Sequence, residues 1–251
     1  MNSIKISAII VTLNEERNIA SCLQSLQDVA DEIIVVDSGS TDETEEICKR
    51  FGVKFVFQKW LGYGRQKNFA ISQTSHDWVL SIDADEELTS ELVYEIKQIF
   101  AQNTIPFTAY EIPRSLIFLG RKFRYGNESC QLHLRLFNKT TGQFANDAVH
   151  EKVQVEGKIG TLKADFLHYT YRNIEHHLHK LNTYTSIAAK ADVDKGRKVY
   201  KWKVGFDLMI RFFIAYIIRR NILNGYEGFV WSVLSAHYKF VRSCKLLELG
   251  K

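Results

Sequence analysis

The chain has 251 residues and a mass of 29.0 kDa, with 45% hydrophobic and 25% charged residues, ordinary globular values that exclude a mainly disordered chain. Two prolines and 14 glycines exclude collagen-like and proline-rich architectures, and the longest purely apolar run near the end, residues 212–218, falls well short of the about 20 residues of a membrane-spanning helix. The net charge of +4 is uneven: residues 195–251 hold 12 Lys/Arg against 3 Asp/Glu, whereas the preceding 194 hold 21 against 26. An acidic body with a basic, aromatic tail predicts a tail that meets something anionic, a membrane surface or a nucleic acid. The cysteines at 22, 48, 130 and 244 are too dispersed for a zinc knuckle or a redox pair, which predicts reduced cytosolic thiols packed as small hydrophobes. The first residues run straight into a strand-like segment, so no signal peptide is expected.

Residues 6–13 form a continuous apolar run of strand length, followed by helical spacing over 15–27 with Asn14 as a reasonable cap. Residues 32–37 read as a second buried strand. The Ser-Gly-Ser-Thr-Asp turn after it caps a helix with acids in its first turns, closed by Gly52. Residues 54–57 and 78–82 read as strands, and 65–73 and 89–100 as helices, the latter capped by Thr89 or Ser90. Near-continuous apolar strands alternating with helices imply an α/β fold with a mostly parallel sheet covered on both faces. In such sheets ligands bind beyond the carboxyl ends of the strands. From 107 to 168 short strand-like runs (109–112, 132–137, 152–155) predict a mixed-sheet extension. Three helices are expected over 173–191, 200–223 and 226–247. The division this suggests is one domain over 1–172, made of a parallel half (1–100) and a mixed-sheet half (101–172), and a basic amphipathic helical extension over 173–251.

Asp83-Ala84-Asp85 follows an apolar strand directly. Two carboxylates so spaced can share a divalent cation, and Mg²⁺ commonly bridges carboxylate and phosphate; a solvated acidic turn is an equally weighted account. With Glu86 and Glu87 the cluster needs a counter-charge. Asp37 can accept a hydrogen bond from a nucleobase or ribose, or can cap the following helix. Thr12, Asn14 and Glu15 carry the same ambiguity. Between Gly62 and Asn68, two glycines permit close backbone approach while Arg65 and Lys67 supply charge for a diphosphate, or form a basic surface loop. No P-loop and no dinucleotide glycine fingerprint occurs. A cluster at His176, His177 and His179 lacks a partner carboxylate motif and reads as a polar helix face.

Four segments in order resemble glycosyltransferase family 2, inverting enzymes with the GT-A fold: residues 9–16 (IIVTLNEE), 35–42 (VVDSGSTD), 64–68 (GRQKN) and 83–85 (DAD). The resemblance implies a catalytic domain over 1–172, with a UDP-sugar donor on the 1–100 half and the acceptor side on 101–172, and Mg²⁺ or Mn²⁺. Thr12, Asn14, Glu15 and Asp37 match nucleoside-holding positions, Asp83 a position near the ribose or metal, and Asp85 the metal ligand at the diphosphate. Further on, Arg135-Leu136-Phe137, Val149-His150-Glu151-Lys152-Val153 and His168-Tyr169-Thr170-Tyr171 look like the subgroup that builds the lipopolysaccharide inner core, β-1,4-glucosyltransferases acting on heptose. Asn224 stands where the subgroup's Asp-Gly-x-x-Gly turn has Asp. An inverting transfer needs a base for the acceptor hydroxyl. No Glu-Asp pair lies between 86 and 194, and Glu151 is the candidate, with Asp147 second. His168 is the candidate late metal ligand.

The aromatic, basic stretch 201–220 suits an anionic bilayer, with nucleic acid excluded for want of a recognised module. The expectation is a cytoplasmic enzyme, peripheral on the inner membrane, using a lipid-linked core oligosaccharide as acceptor. Rival readings are transfer to a polyprenyl phosphate, a nucleotidyltransferase, and a non-catalytic membrane adaptor.

Overall fold

The structure is a computed structural model, and it describes residues 4–102, 104–145 and 152–250. The chain divides into two compact units, one made of the chain up to Ser115 with Cys130–His168, the other of Leu116–Ser129 with the chain from Tyr169.

In the first unit the apolar runs become the strands β1 (Ile6–Thr12), β2 (Glu32–Asp37), β3 (Lys54–Phe57) and β4 (Trp78–Asp83). They lie in the order β3-β2-β1-β4, all parallel. Helices α1 (Ile19–Leu26), α2 (Thr44–Arg50) and α3 (Tyr63–Ser72) connect them, and α4 (Ser90–Phe100) follows a short strand β5 (Glu86–Leu88). Ile10, Val35, Leu80 and Ile82 pack with Leu23 and Leu26 on one face, while Ile9, Val36 and Val79 pack with Ala70 on the other. Burial on both faces explains why these strands are apolar throughout rather than alternating. Register brings the strand exits together, pairing Thr12 with Asp37 and Val11 with Asp83. The sheet is the GT-A-like α/β fold that the sequence predicts.

The mixed extension begins with β6 (Ala109–Phe118), longer than the sequence suggests. Strand β8 (Gln131–Asn138) runs antiparallel between β4 and β6. Short strands complete the unit: β9 (Gly142–Phe144) pairs with β10 (Val153–Val155), which the sequence predicts, whereas β9, β11 (Ile159–Thr161) and β12 (Phe166–His168) are not apparent in it. β12 runs antiparallel to β5 and sets His168 opposite Glu86.

The second unit holds the two-residue strand β7 (Arg121–Lys122) paired with the end of β6, then α5 (Ile174–Asp194), α6 (Lys201–Phe213) and α7 (Gly225–Leu249). Its core joins Leu116, Phe118, Phe123, Trp231 and Leu234. The expected single helix over 200–223 is broken: a π-helical turn covers Ile214–Ile218 and Arg220 takes a left-handed φ of 60° before a short 3₁₀ turn. Only glycine adopts that region without strain, so nothing in the residue type announces the break. The break allows Asn224 to be buried, where Oδ1 accepts from the backbone N–H groups of Arg124 (3.1 Å) and Tyr125 (3.3 Å). Its Nδ2 donates to Tyr125 O (2.9 Å) and Asn221 Oδ1 (3.0 Å). Gly228 closes the turn, since a Cβ there would stand 1.9 Å from Asn221 O. The amide thus uses donor and acceptor together, which an aspartate could not.

Candidate functional site

The exits of β1 and β2 are stitched to each other. Asn14, at a left-handed φ of 56°, accepts at Oδ1 from Thr41 N (2.8 Å) and donates through its own N–H to Ser40 Oγ (2.8 Å). Glu15 N donates to Thr44 Oγ1 (2.9 Å), and Glu16 N to Asp42 Oδ2 (3.1 Å). Asn14 therefore holds two loops together instead of capping α1, whose first residue, Ile19, comes four residues later than expected. Residues 15–18 form a turn, with Glu15 Oε2 accepting from Asn18 Nδ2 (2.8 Å). Asp37 is 3% exposed, and its Oδ1 accepts from the N–H groups of Gly39 and Ser40 (both 2.8 Å) while Ser40 Oγ donates to Oδ2. Thr12 lies beside it with its hydroxyl buried and unpartnered among the described residues.

The Gly-Arg-Gln-Lys-Asn segment lies on α3. Arg65 is exposed, whereas Gln66 and Lys67 point inward. Gln66 Nε2 donates to Gln58 O (2.9 Å) and Ser38 Oγ (3.2 Å). Asn68 exchanges two bonds of 2.9 Å with the backbone of Phe144. These two side chains received no role from sequence reasoning. They fasten α3 to the loop after β3 and to β9.

The acidic cluster has its counter-charge. Lys67 Nζ donates to Asp83 Oδ1 (2.8 Å), and Arg135 Nη2 reaches both Asp83 Oδ2 (2.8 Å) and Glu86 Oε1 (2.6 Å). Glu86 is buried, and its Oε2 accepts from Asp83 N (2.9 Å). Burial raises the Asp83 carboxyl, but Arg135 and Lys67, by charge and hydrogen bond, more than offset this and hold it far below the usual range. Burial pushes Glu86 upward despite Arg135, with the Asp83 charge adding to the rise. The Arg135 guanidinium also lies 5.5 Å from the Phe166 ring centre, and Lys67 Nζ 5.4 Å from that of Phe144. Arg135 stands 52 residues from Asp83, so sequence spacing alone does not pair them.

Asp85 has a different neighbour. Its Oδ2 lies 3.3 Å from His168 Nε2, brought there by the pairing of β5 with β12. His133 lies one strand position pair from Arg135, and burial, then repulsion from Arg114 and Arg135, pushes it down to about 4, so the ring is neutral at pH 7. Among the described residues no group of three or more His, Cys, Asp or Glu is arranged to hold a metal. One carboxylate oxygen and one imidazole nitrogen nevertheless suit Mn²⁺ or Mg²⁺ when phosphate oxygens and water complete the shell. Glu151 and Asp147, with His150, lie outside the described residues. His176 accepts from Arg172 N at Nδ1 (3.3 Å), and His177 is buried among aromatic rings, so the histidine trio forms no joint site.

The fold is that of a GT-A-type glycosyltransferase, and the strand-exit cluster lies on the edge where such sheets bind their ligands. Residues 7–154 match the model of the family described as Glycosyl transferase family 2, and the chain belongs to that family. A glycosyltransferase of Rickettsia typhi is 40% identical over 98% of this chain and 88% of its own length. The lipopolysaccharide core biosynthesis glycosyltransferase LpsC of Rhizobium meliloti is 29% identical over 97% of this chain and 92% of its own. Among solved structures, S. aureus TarS 1–349 in complex with UDP-GlcNAc superposes with a TM-score of 0.51 at 15% identity, over 99% of this chain and 93% of that one, a likeness of fold. The protein is a glycosyltransferase.

Proposed function

We propose that this enzyme transfers a hexose, glucose from UDP-glucose, with inversion onto a heptose of the lipopolysaccharide inner core. The observation that carries the reading is the Asp85–His168 pair, 3.3 Å apart, beside an Asp83 already neutralised by Lys67 and Arg135. The likeness to LpsC supports the core-sugar acceptor. A divalent ion, Mg²⁺ or Mn²⁺, held by Asp85 and His168 supplies positive charge opposite the leaving diphosphate. Asp83 keeps Lys67 and Arg135 in place at the same edge. Thr12, Asn14, Glu15 and Asp37 frame the nucleoside side, where the stitched loops give a rigid rim, and Arg65 offers an exposed cation to the phosphates. In the transfer the acceptor hydroxyl attacks the anomeric carbon as the bond to UDP breaks. Its proton passes to a carboxylate, Glu151 in our reading and Asp147 as the alternative.

The enzyme works at the cytoplasmic face of the inner membrane, where its lipid-linked acceptor lies. Trp202, Phe206, Met209 and Phe213 on α6 are more than half exposed beside Lys201 and Lys203, as an interfacial helix requires. Phe212 and Tyr216, expected on the same surface, instead stack at 5.3 Å and pack edge-on against Phe229 of α7. No helix of the described residues is long and apolar enough to cross a membrane. The test is a screen of nucleotide sugars against truncated core acceptors and polyprenyl phosphate, with products weighed by mass spectrometry. A glucosylated heptose core supports the reading. A glycosylated polyprenyl phosphate, or no product with any core acceptor, refutes it.

A further inference from the structure

The second unit contains a cavity of about 510 Å³ that the transfer reaction does not use. Its volume lies in the about 300–1,000 Å³ range of small-molecule sites. The floor is aromatic: Tyr171 and His177 lie 4.3 Å apart between ring centres, and Trp231 lies 5.8 Å from Tyr171 and 5.6 Å from His177. The rim is basic, with Arg211, Arg219 and Lys239 against one acid, Glu128. None of the three cations makes an ion pair among the described residues, while nearby Asp192 is already taken by Arg197 (3.0 Å) and Arg242 (2.6 Å). Partial burial, then repulsion from Arg242 and Arg211, lowers the Lys239 ammonium despite the opposing charge of Asp192, so the rim crowds positive charge. Two polar atoms of the floor, His177 Nδ1 and Trp231 Nε1, are buried without a hydrogen-bond partner among the described residues. Both side chains are more than nine-tenths buried. Packing alone does not favour such an arrangement, because unsatisfied buried donors and crowded like charges both cost stability.

We propose that this cavity binds a phosphate-bearing sugar, the ring lying on the aromatic floor and the phosphate on Arg211, Arg219 and Lys239. Each feature matches one part of that ligand. Aromatic faces accept the apolar face of a sugar ring. Guanidinium groups bind phosphate oxygens in pairs of hydrogen bonds. The same chemistry is met in a soluble sugar phosphate and in the phosphorylated glycan of a membrane lipid. A bare anionic bilayer satisfies the rim but leaves the aromatic floor without a partner. The inference stands apart from the donor reading, since it involves none of the residues placed at the strand exits.

The test is calorimetric titration of the full chain with glucose 6-phosphate, glucose and inorganic phosphate, with saturation-transfer NMR to locate the contact. Glucose 6-phosphate is expected to bind at least roughly tenfold more tightly than either half-ligand, with transfer from aromatic protons to the ring. The double variant Arg211→Ala/Arg219→Ala, at exposed positions, should weaken it by roughly tenfold or more at unchanged melting temperature. Ser235→Trp, which fills the cavity from its wall, should abolish the sugar contact while vesicle binding persists. Phosphatidylglycerol vesicles, a bare anionic bilayer, should not displace glucose 6-phosphate, and vesicles carrying a phosphorylated glycolipid distinguish the sources: they compete only if the cavity reads the lipid-borne glycan. Equal affinity for inorganic phosphate, insensitivity to the double variant, absence of binding, or displacement by the bare phosphatidylglycerol vesicles would each overturn the proposal.

Discussion

Asp83 and Asp85 leave the same strand end two residues apart, yet their surroundings differ. Both oxygens of Asp83 are held by cations, Lys67 on one and Arg135 on the other, and Arg135 continues to the buried Glu86. Asp85 makes one close polar contact among the described residues, a 3.3 Å approach to His168, and its Oδ1 is unengaged there. A carboxylate with its partners built in contributes to architecture. One with coordination capacity left over is where an external charge can be accommodated. Breaking the first should therefore cost stability, and changing the second should cost activity.

The largest stability effect is expected at Arg135. Arg135→Ala leaves Glu86 buried and Asp83 half-compensated, and removing one partner of a buried pair typically costs about 3–5 kcal/mol. Urea unfolding should show that loss; a variant as stable as the parent would mean the corner is not held by charge. Asp85→Asn should do the reverse, lowering transfer by about a hundredfold or more while the urea midpoint stays put. If instead it unfolds the protein and spares the turnover of the folded fraction, the two aspartates have exchanged roles.

Asn224 offers a second saturated group away from charge. Asn224→Asp restores the acid of the resembling turn, but it sets a carboxylate oxygen against Tyr125 O and Asn221 Oδ1, at a cost of about 1–3 kcal/mol. Stabilisation by this change would contradict the hydrogen-bond assignment.

A smaller, pH-dependent effect is expected at His177. Burial pushes this residue from 6.5 down to about 4, with His176, His237 and Lys180 adding repulsion. The lowered value in the fold means that stability is fully present above pH 6.5 and is lost as pH falls toward 4. His177→Phe should flatten the decline of melting temperature over that window, and an unchanged slope would remove His177 from the account. The smallest perturbation is thiol labelling. Burial, followed by the charges of Glu86, Asp83, Asp85 and Cys48, pushes Cys22 well up. Burial, then the charges of Asp37 and Glu45, raises Cys48 to about 12. Cys130 and Cys244 are exposed, contrary to the expectation of four buried thiols. Ellman's reagent at pH 8 should thus label Cys130 and Cys244 quickly in the native protein, and rapid labelling at four sites would disprove the packing.

The parallel half was legible because its strands are buried on both faces, so Ile6–Thr12, Glu32–Asp37 and Trp78–Asp83 read as continuous apolar runs. The strand-exit rule brings Thr12, Asp37 and Asp83 to one edge from the sequence alone, as the register shows. Three-residue strands carry too little pattern, so the β5–β12 pairing that sets His168 against Asp85 was not visible, although His168 itself was singled out. Arg135 belongs to a motif of the resemblance, but an ion pair across 52 residues leaves no local trace in the sequence. Lys67 reads as a phosphate-facing cation from charge alone. Only its 4% exposure and the 2.8 Å bond to Asp83 reveal that it is held inward. The break at Arg220 was hidden because neither glycine nor proline marks it.

The most direct test of the central claim is calorimetric titration of UDP into the protein with and without Mn²⁺, repeated for Asp85→Asn and His168→Ala. The account predicts that Mn²⁺ tightens UDP binding to the parent by tenfold or more, at roughly 1.4 kcal/mol per factor of ten, and that both variants lose this gain. Manganese-dependent binding of the same strength in Asp85→Asn would contradict it.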